Sequence, residues 1–168
     1  GSWGQLSNAG TYAITTSPNL VHNNFPPCSD HTPGVGNNNM MVVNGSNTAN
    51  QAVWCQTINV NQNTDYYFSI WATSVENTNA ADVSSLFFKL NGVQIGTNFS
   101  PPYTTCTWQE YTQTWNSGTN TTVNLCIFNH TISGNNDFAI DDIFFGETCV
   151  ASDTIQISNI PSAIVSDS

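Results

Sequence analysis

The stretch Gly134-Asn-Asn-Asp-Phe-Ala-Ile-Asp-Asp-Ile-Phe-Phe145 joins a Gly-Asn-Asn turn signal to aromatic and branched residues. This combination predicts a β-strand late in the chain. Asp141 and Asp142 are adjacent acids in its otherwise apolar run. Because successive side chains of a strand point to opposite faces, the two carboxylates are not expected to face solvent together. One of them therefore needs a partner, and a hard cation is the simplest candidate.

Eight further β-type runs precede this strand, separated by turn signals such as Asn44-Gly45, Asn91-Gly92 and Ser117-Gly118. Nine short strands at this spacing predict an all-β fold, either a sandwich or a jelly roll. The proline-rich segment Ser17–Asn38 is predicted to be a loop. The predicted strands are Thr11–Thr16, Asn39–Asn44, Ala52–Val60, Tyr66–Ser74, Ser85–Leu90, Val93–Gly96, Thr107–Trp115, Thr121–His130 and Asp137–Phe145.

The charge balance restricts the possible partners. Eleven acidic residues stand against one base, Lys89, and the formal net charge is −10. Nucleic acids and anionic lipids are bound by neutralising phosphates with basic side chains, so both are excluded as expected partners. Densely sulfated or uronate-rich polymers are disfavoured for the same reason, unless a bound cation bridges them to the protein. No apolar run reaches the length of a membrane span, and no membrane insertion is expected.

The composition also suggests a cellular location and a domain plan. Five cysteines without a C-x-x-C pair, in a chain rich in Asn and Thr, are typical of an oxidising compartment. We therefore expect a secreted or cell-surface protein. Residues 1–10 are interpreted as a tag scar and lead-in, 11–146 as the β-module, and 147–168 as a linker or the start of a following module. One further strand is possible at Thr154–Ile160.

Strand alternation separates core positions from candidate ligand positions. Val123, Leu125 and Ile127 are assigned to the core, together with Trp54. Sugars are bound by aromatic rings that pack on their C–H faces and by planar amides and acids that contact their hydroxyls. Outward-facing and loop side chains of these types are the ligand candidates, although each aromatic residue could belong to the core instead. The candidates are Trp71, Phe87, Lys89, Tyr103, Trp115, Asn124, Phe128 and His130, with Tyr67 and Trp108 as further possibilities.

Several motifs together resemble those of a known group of secreted modules. The motifs are Asp30-His31-Thr32, Asn39-Met-Met-Val-Val-Asn-Gly45, Val53-Trp-Cys-Gln-Thr57, Tyr67-Phe-Ser-Ile-Trp71, Leu90-Asn-Gly92 and Asp137-Phe-Ala-Ile-Asp-Asp-Ile143. They resemble carbohydrate-binding-module jelly rolls related to families four, nine and twenty-two, found in secreted multidomain proteins of Bacteroidetes-type bacteria. The resemblance covers roughly Thr11 to Gly146. It implies an antiparallel two-sheet β-sandwich of jelly-roll topology.

The resemblance also implies a structural Ca²⁺ that ties the N-terminal region to the last strand. Asp141 or Asp142 would be one ligand. The family's N-terminal Asn-Gly-x-Phe-Glu signature is absent, and Asp30 with loop carbonyls near residues 37–39 is expected to replace it. Oxygen donors of this kind suit Ca²⁺ rather than Zn²⁺. Hydrogen bonding of the two acids to backbone amides is the alternative.

Jelly-roll topology also suggests disulfide pairings. It places the strand Ala52–Val60 beside Thr121–His130, so that a Cys55–Cys126 bridge is geometrically sensible. Cys28 precedes a strand expected to neighbour the last one, which makes Cys28–Cys149 a second expectation. Cys106 is then left over.

The predicted function is non-catalytic polysaccharide binding by a calcium-stabilised module, a monomeric unit within a larger chain. The expected ligand is neutral or lightly charged. The alternative is an adhesion domain that recognises protein or a cell surface, since Asp-His-Thr followed by a Gly-containing loop also occurs in MAM-type adhesion domains. A surface spacer and an ice-binding surface are further alternatives. An enzyme is not expected, because the three histidines lack metal spacing and no Ser or Cys nucleophile motif accompanies them.

Overall fold

The computed structural model describes residues 6–32, 34, 38–76, 82–131 and 134–148. The possible strand at 154–160 lies outside these ranges. Within them, no helix is long and apolar enough to cross a membrane. All nine predicted strands are present, and a short 3₁₀ helix occupies Pro18–Leu20 in the predicted loop. The strands are β1 Thr11–Thr15, β2 Met40–Asn44, β3 Gln51–Asn59, β4 Asp65–Ser74, β5 Leu86–Leu90, β6 Val93–Phe99, β7 Gln109–Asn116, β8 Thr122–Asn129 and β9 Phe138–Glu147.

The strands form two antiparallel sheets, which confirms the predicted β-sandwich with jelly-roll topology. Sheet A has five strands in the order β1-β2-β9-β4-β7, and sheet B has four in the order β3-β8-β5-β6. Every pairing in both sheets is antiparallel. The last strand, β9, lies between β2 and β4 in sheet A, so the motif Asp137–Ile143 is central to the fold.

The main core lies between the sheets and is built from the alternate positions predicted to face inward. Phe68 of sheet A and Phe88 of sheet B meet edge to face at 4.6 Å between ring centroids. Val123, Leu125 and Ile127 are fully buried, as predicted. Burial of an aromatic or branched side chain contributes roughly 1.5–3 kcal/mol each, so this layer accounts for most of the driving force.

A second apolar cluster covers part of the outer face of sheet A. It contains Leu6, Ala13, Val21, Phe25, Met40, Val42, Val75 and Ala139, with Trp108 packed against it. The segment before β1 and the loop between β1 and β2 supply several of these side chains. Ser69 and Thr73 of β4 are also buried. Sheet A is therefore sandwiched on both faces over part of its area.

Two disulfides cross-link the described part of the chain: one joins two strands of sheet B, and the other joins two loops. Cys55 and Cys126 face each other across β3 and β8 and are bonded, which confirms the prediction. The predicted Cys28–Cys149 bridge is wrong, because Cys28 is bonded to Cys106. The loop before β7 folds back over the first loop, where the indole N–H of Trp108 donates to the Ser29 carbonyl at 3.1 Å. This contact brings Cys106 to Cys28, whereas Cys149 lies outside the described residues.

Candidate functional site

The outer face of sheet B brings together side chains that the sequence placed among the ligand candidates. Phe87 of β5 is paired in register with Phe128 of β8, and Lys89 with Cys126. The two phenyl rings stack at 5.3 Å between centroids with an interplanar angle of 15°. Lys89 Nζ lies 4.7 Å from the Phe128 centroid and 5.6 Å from the Phe87 centroid. We call Phe87, Lys89, Phe128 and His130 the platform.

His130 completes the platform at the end of β8. Its ring meets the Phe87 ring edge to face at 6.4 Å. Its Nδ1 lies 2.9 Å from Asn50 Oδ1, a contact that orients the imidazole. Asn124 is on the same strand, about 13 Å from Phe128 at the usual rise per residue, and its backbone N–H donates to Asn91 Oδ1. It can reach only a ligand that spans several sugar units.

Burial assigns different roles to the two phenylalanines. Phe87 is only 3% exposed, since the other three platform residues cover it. Phe128 and Lys89 are half-buried. Phe128 therefore keeps part of its surface accessible, whereas Phe87 is buried and stacks beside it. The disulfide between Cys55 and Cys126 lies next to Lys89 in the same face and holds β3 against β8.

The charges are distributed very unevenly between the sheets. The four strands of sheet B contain no Asp or Glu, and Lys89 is their one charged residue. The strands of sheet A contain five acids and no base; these acids are Asp65, Glu110, Asp141, Asp142 and Glu147. In a chain of net charge −10, sheet B is thus the surface least repulsive to an anionic group.

The predicted candidate Trp71 lies on the other sheet, in a cluster that the sequence did not reveal. The imidazole of His31 stacks on the Trp71 ring at 3.6 Å with an interplanar angle of 15°. Trp108 meets His31 edge-on at 6.2 Å. One face of the Trp71 ring is therefore already occupied by protein. His31 and Trp71 are forty positions apart in the sequence, and no local pattern predicts their contact.

His31 is also the partner of the acidic pair. Its backbone N–H donates to Asp141 Oδ2 at 3.0 Å, and its Nδ1 lies 2.7 Å from Asp142 Oδ2. The Asp142 N–H donates to Asp141 Oδ1 at 2.9 Å. Burial raises the pKa of Asp141, and the two backbone hydrogen bonds oppose that shift.

The expectation that the two carboxylates lie on opposite faces is wrong. The register between β4 and β9 shifts between Ser69 and Trp71, and Asp142 has a φ of 47°. This irregularity in β9 breaks the alternation of side chains. Both carboxylates consequently contact His31, a residue of a distant loop.

The predicted metal ligand Asp30 is buried and lines a small cavity. It is 5% exposed, and its Oδ1 has no hydrogen-bond partner within the described part of the chain. A cavity of about 160 Å³ is lined by Asp30 with Thr16, Ser29 and Asn38, all of which carry oxygen donors. No group of three or more His, Cys, Asp or Glu side chains suited to a metal ion occurs among the described residues. The Asp30 carboxyl also contributes to raising the pKa of Asp141, so the two acids are electrostatic neighbours, and calcium stays a prediction.

The two other aromatic candidates lie away from the platform. Trp115 packs against the main core, 6.1 Å from Tyr66 and 6.5 Å from Phe145 between ring centroids. Tyr103 is 44% exposed in the loop between β6 and β7. Neither joins the surface formed by Phe128 and Lys89.

A second acidic pair escaped the sequence analysis. Asp137 is 4% exposed, and its Oδ1 accepts a hydrogen bond from the Gly45 N–H at 2.7 Å. Burial and a hydrogen bond with the Glu76 carboxyl raise the pKa of Asp137 to about 8. The two residues are sixty-one positions apart, and only the tertiary fold makes them neighbours.

Comparisons with known proteins bear on the fold. No family model matches the chain, and no curated protein matches it. Among solved structures, the sugar-binding EclA C-terminal domain has a TM-score of 0.52 at 12% identity, covering 83% of this chain and 79% of that one. A family 4 carbohydrate-binding module has a TM-score of 0.50 at 13% identity, covering 84% and 90%.

One similar structure is an enzyme. The Stig cyclase Fisc from Fischerella sp. TAU has a TM-score of 0.53 at 9% identity, covering 82% of this chain and 75% of that one. Identities this low establish the fold and not the function. This chain has the β-sandwich jelly-roll fold shared by carbohydrate-binding modules.

Proposed function

We propose that this module binds polysaccharide, without catalysis, through the platform on sheet B. The observation that carries the proposal is the stacked pair Phe87 and Phe128 with Lys89 above it, on strands that contain no Asp or Glu. An exposed aromatic ring supplies the apolar surface that packs on a sugar's C–H face, and nearby polar groups fix its orientation. The similarity of fold to a sugar-binding domain is in keeping with this assignment.

The platform is suited to binding because its parts are held in place before a ligand arrives. Phe87 is buried beneath its neighbours, His130 contacts Asn50, and a disulfide joins the two strands beside Lys89. A ligand therefore orders few side chains when it binds. Each rotamer-rich side chain that need not be immobilised saves about 0.5–1.5 kcal/mol of binding free energy.

A non-catalytic role is supported by the placement of the acids. Glycoside hydrolysis uses two carboxyl groups that flank the scissile bond, and the strands beneath the platform carry none. Since the fold also occurs in a cyclase, product analysis belongs in every binding experiment. Release of reducing ends from a bound glycan would contradict the non-catalytic proposal.

The proposed setting is a secreted or cell-surface protein in which this module is one monomeric part of a longer chain. Two disulfides among the described residues support an oxidising environment. In that setting, the module would hold an attached domain or cell on an insoluble glycan.

Affinity electrophoresis against a broad panel of soluble polysaccharides tests the proposal. At least one glycan is expected to retard the wild-type module. Phe128→Ala is expected to weaken that binding about tenfold or more, because it removes the exposed stacking surface. Trp71→Ala is the matched control, since it removes an aromatic side chain from the outer face of sheet A. Equal losses for both variants, or binding that survives Phe128→Ala, would place the site elsewhere.

Adhesion to a protein surface is the second candidate. It is favoured by Tyr12 and Ile14, which are 58% and 55% exposed on the edge strand β1. They lie at the open side of the sandwich, where Tyr12 and Val53 help line a cleft of about 110 Å³. Absence of binding across the whole glycan panel would favour this function.

We also propose a structural Ca²⁺ at the Asp30 cavity. The unpartnered Asp30 Oδ1 and the surrounding oxygen-bearing side chains support it, since Ca²⁺ prefers oxygen ligands. A chelator is expected to lower the melting temperature of the wild-type module, whereas Asp30→Asn is expected to lose most of that response. An unchanged melting temperature after chelation would refute the proposal.

A further inference from the structure

We propose that the platform selects glycans that carry isolated carboxylates on a mainly neutral backbone, and that Lys89 is the residue that recognises the carboxylate. The inference rests on the proposed function and narrows its ligand class. Its starting point is the position of Lys89, the one base among 168 residues, directly above the exposed ring of Phe128.

Lys89 has no carboxylate partner in the part of the chain that the structure describes. The one ion pair found there joins His31 to Asp142 on the other sheet. Eleven acids were available to pair with this lysine, yet its ammonium lies over two phenyl rings instead. A cation–π contact of this kind holds the charge in place and leaves N–H donors for a further partner.

The geometry allows a sugar and its carboxylate to be bound together. Lys89 Nζ is nearer to Phe128 than to Phe87, and Phe128 carries the accessible ring surface. A sugar packed beside Phe128 would place a ring carboxylate or a side-branch uronate within reach of the ammonium. Since Arg and Lys are absent elsewhere on the chain, a second carboxylate would find no comparable partner.

The distribution of acidic side chains on the protein explains why the carboxylates of the glycan must be sparse. Face-to-face sheets pack about 10 Å apart, so acids on the outer face of sheet A lie beyond the screening length of about 8 Å at physiological salt. One carboxylate at Lys89 therefore experiences mainly local attraction. A polymer with a carboxylate on every sugar extends past the platform toward the acidic parts of the protein. Those acids repel it, most strongly at low salt.

Isothermal titration with matched polymers tests the inference. The probes are glucuronoxylan and its carboxyl-reduced derivative, and partly methyl-esterified homogalacturonan with its fully esterified and fully de-esterified forms. The wild-type module is expected to bind glucuronoxylan and the partly esterified polymer about three- to tenfold more tightly than their uncharged counterparts. It is also expected to bind them more tightly than the fully de-esterified polymer. The preference over the uncharged forms is expected to shrink as NaCl is raised.

Two substitutions separate charge from packing. Lys89→Met keeps an unbranched apolar side chain over the rings and is expected to abolish the preference for charged over uncharged polymers. Lys89→Arg keeps the charge and is expected to retain the preference. Melting temperatures check that both variants are folded.

The outcomes distinguish this inference from the proposed function. If the wild-type module binds other glycans but none of these, or binds charged and uncharged partners equally, carboxylate selection is wrong and polysaccharide binding stands. If Lys89→Met weakens binding to both kinds of polymer equally, Lys89 acts by packing, and the inference is again wrong. If no glycan binds at all, the proposed function fails, and the inference fails with it.

Discussion

The outer faces of the two sheets have different surroundings, although both belong to one sandwich. On sheet A, a second apolar cluster and the stacked pair His31 and Trp71 cover much of the surface, and the strands carry five acids. On sheet B, two stacked phenylalanines lie under the single lysine, and the strands carry no acid. The distinctive Asp141–Asp142 motif therefore lies on the covered sheet, whereas the ligand candidates gather on the sheet without such a motif.

This difference teaches that the most recognisable motif of the chain serves the fold. Asp141 and Asp142 bind a loop residue, His31, through two hydrogen-bonding contacts, and the Asp142 N–H donates to Asp141 Oδ1. They tie the segment before β2 to the last strand, which is the task the sequence assigned to a cation. The platform has no comparable signature, because phenylalanine and lysine in alternating strand positions are common.

Removal of a disulfide is expected to have the largest effect. The two bridges span similar separations of 78 and 71 residues, so replacing either pair with Ala should lower the free energy of unfolding by about 2–4 kcal/mol, measured by urea denaturation. Only the loss of Cys55–Cys126 should also weaken glycan binding, because that bridge lies beside Lys89. Equal effects of both double variants on binding would show that the platform depends on overall stability alone.

The two histidines offer a matched pair of substitutions across the sheets. His31→Ala removes the stack on Trp71 and the contacts of the imidazole with Asp142, and is expected to lower the free energy of unfolding by about 1–3 kcal/mol. Glycan affinity should stay unchanged. His130→Ala is expected to do the reverse, weakening binding with less than about 1 kcal/mol of destabilisation. Thermal unfolding and affinity electrophoresis of both variants check this; a binding defect in His31→Ala would break the distinction between the sheets.

The buried acid Asp137 predicts that the stability of the fold depends on pH. The pKa of Asp137 is raised from its ordinary 3.8 to about 8, chiefly by burial. The folded state therefore keeps a proton that the unfolded chain releases, and this contribution is fully present below about pH 4 and lost as the pH rises toward 8. Asp137→Asn keeps an acceptor for the Gly45 N–H, and its melting temperature should decline less over that range. If the melting temperatures of the wild type and of Asp137→Asn change with pH in parallel, Asp137 does not titrate as described.

An added acid on sheet B should have the smallest effect. Gln94 lies opposite Lys89 in the register of β5 and β6, so Gln94→Glu would give the lysine an internal partner. A half-exposed ion pair contributes about 0.2–1 kcal/mol, and affinity for glucuronoxylan is expected to fall by a few-fold at most. Thr114→Glu, at an exposed position of β7 in sheet A, is the control. Equal losses in the two variants would point to net charge rather than to the local partner of Lys89.

Much of the fold could be predicted from the sequence because its signals are local. Alternation of polar and apolar residues located all nine strands, and the inward sets such as Val123, Leu125 and Ile127 are buried as predicted. The pairing of Cys55 with Cys126 followed from the strand order. The outward placement of Phe87 and Phe128 was also predicted, although nothing local indicated that one ring would cover the other.

The errors arose where a residue's surroundings depend on distant segments. Strand alternation failed at Asp142 because an irregularity in β9 turns both carboxylates toward His31. Cys28 was assigned the wrong partner because the loop before β7 folds over the first loop, held by the bond from Trp108 to Ser29. Trp115, named as a ligand candidate with the core as its alternative, packs against the core.

By itself, the sequence determined the all-β class, the strands, the inner faces and the excess of acid over base, because the period of a strand and the count of charges are properties of the chain alone. Only the tertiary structure decided that five acids lie on the strands of one sheet and the single lysine on the other. It also decided that His31 contacts both Asp141 and Asp142. These contacts join residues far apart in sequence, and burial and pairing energies exist only once the sheets have packed.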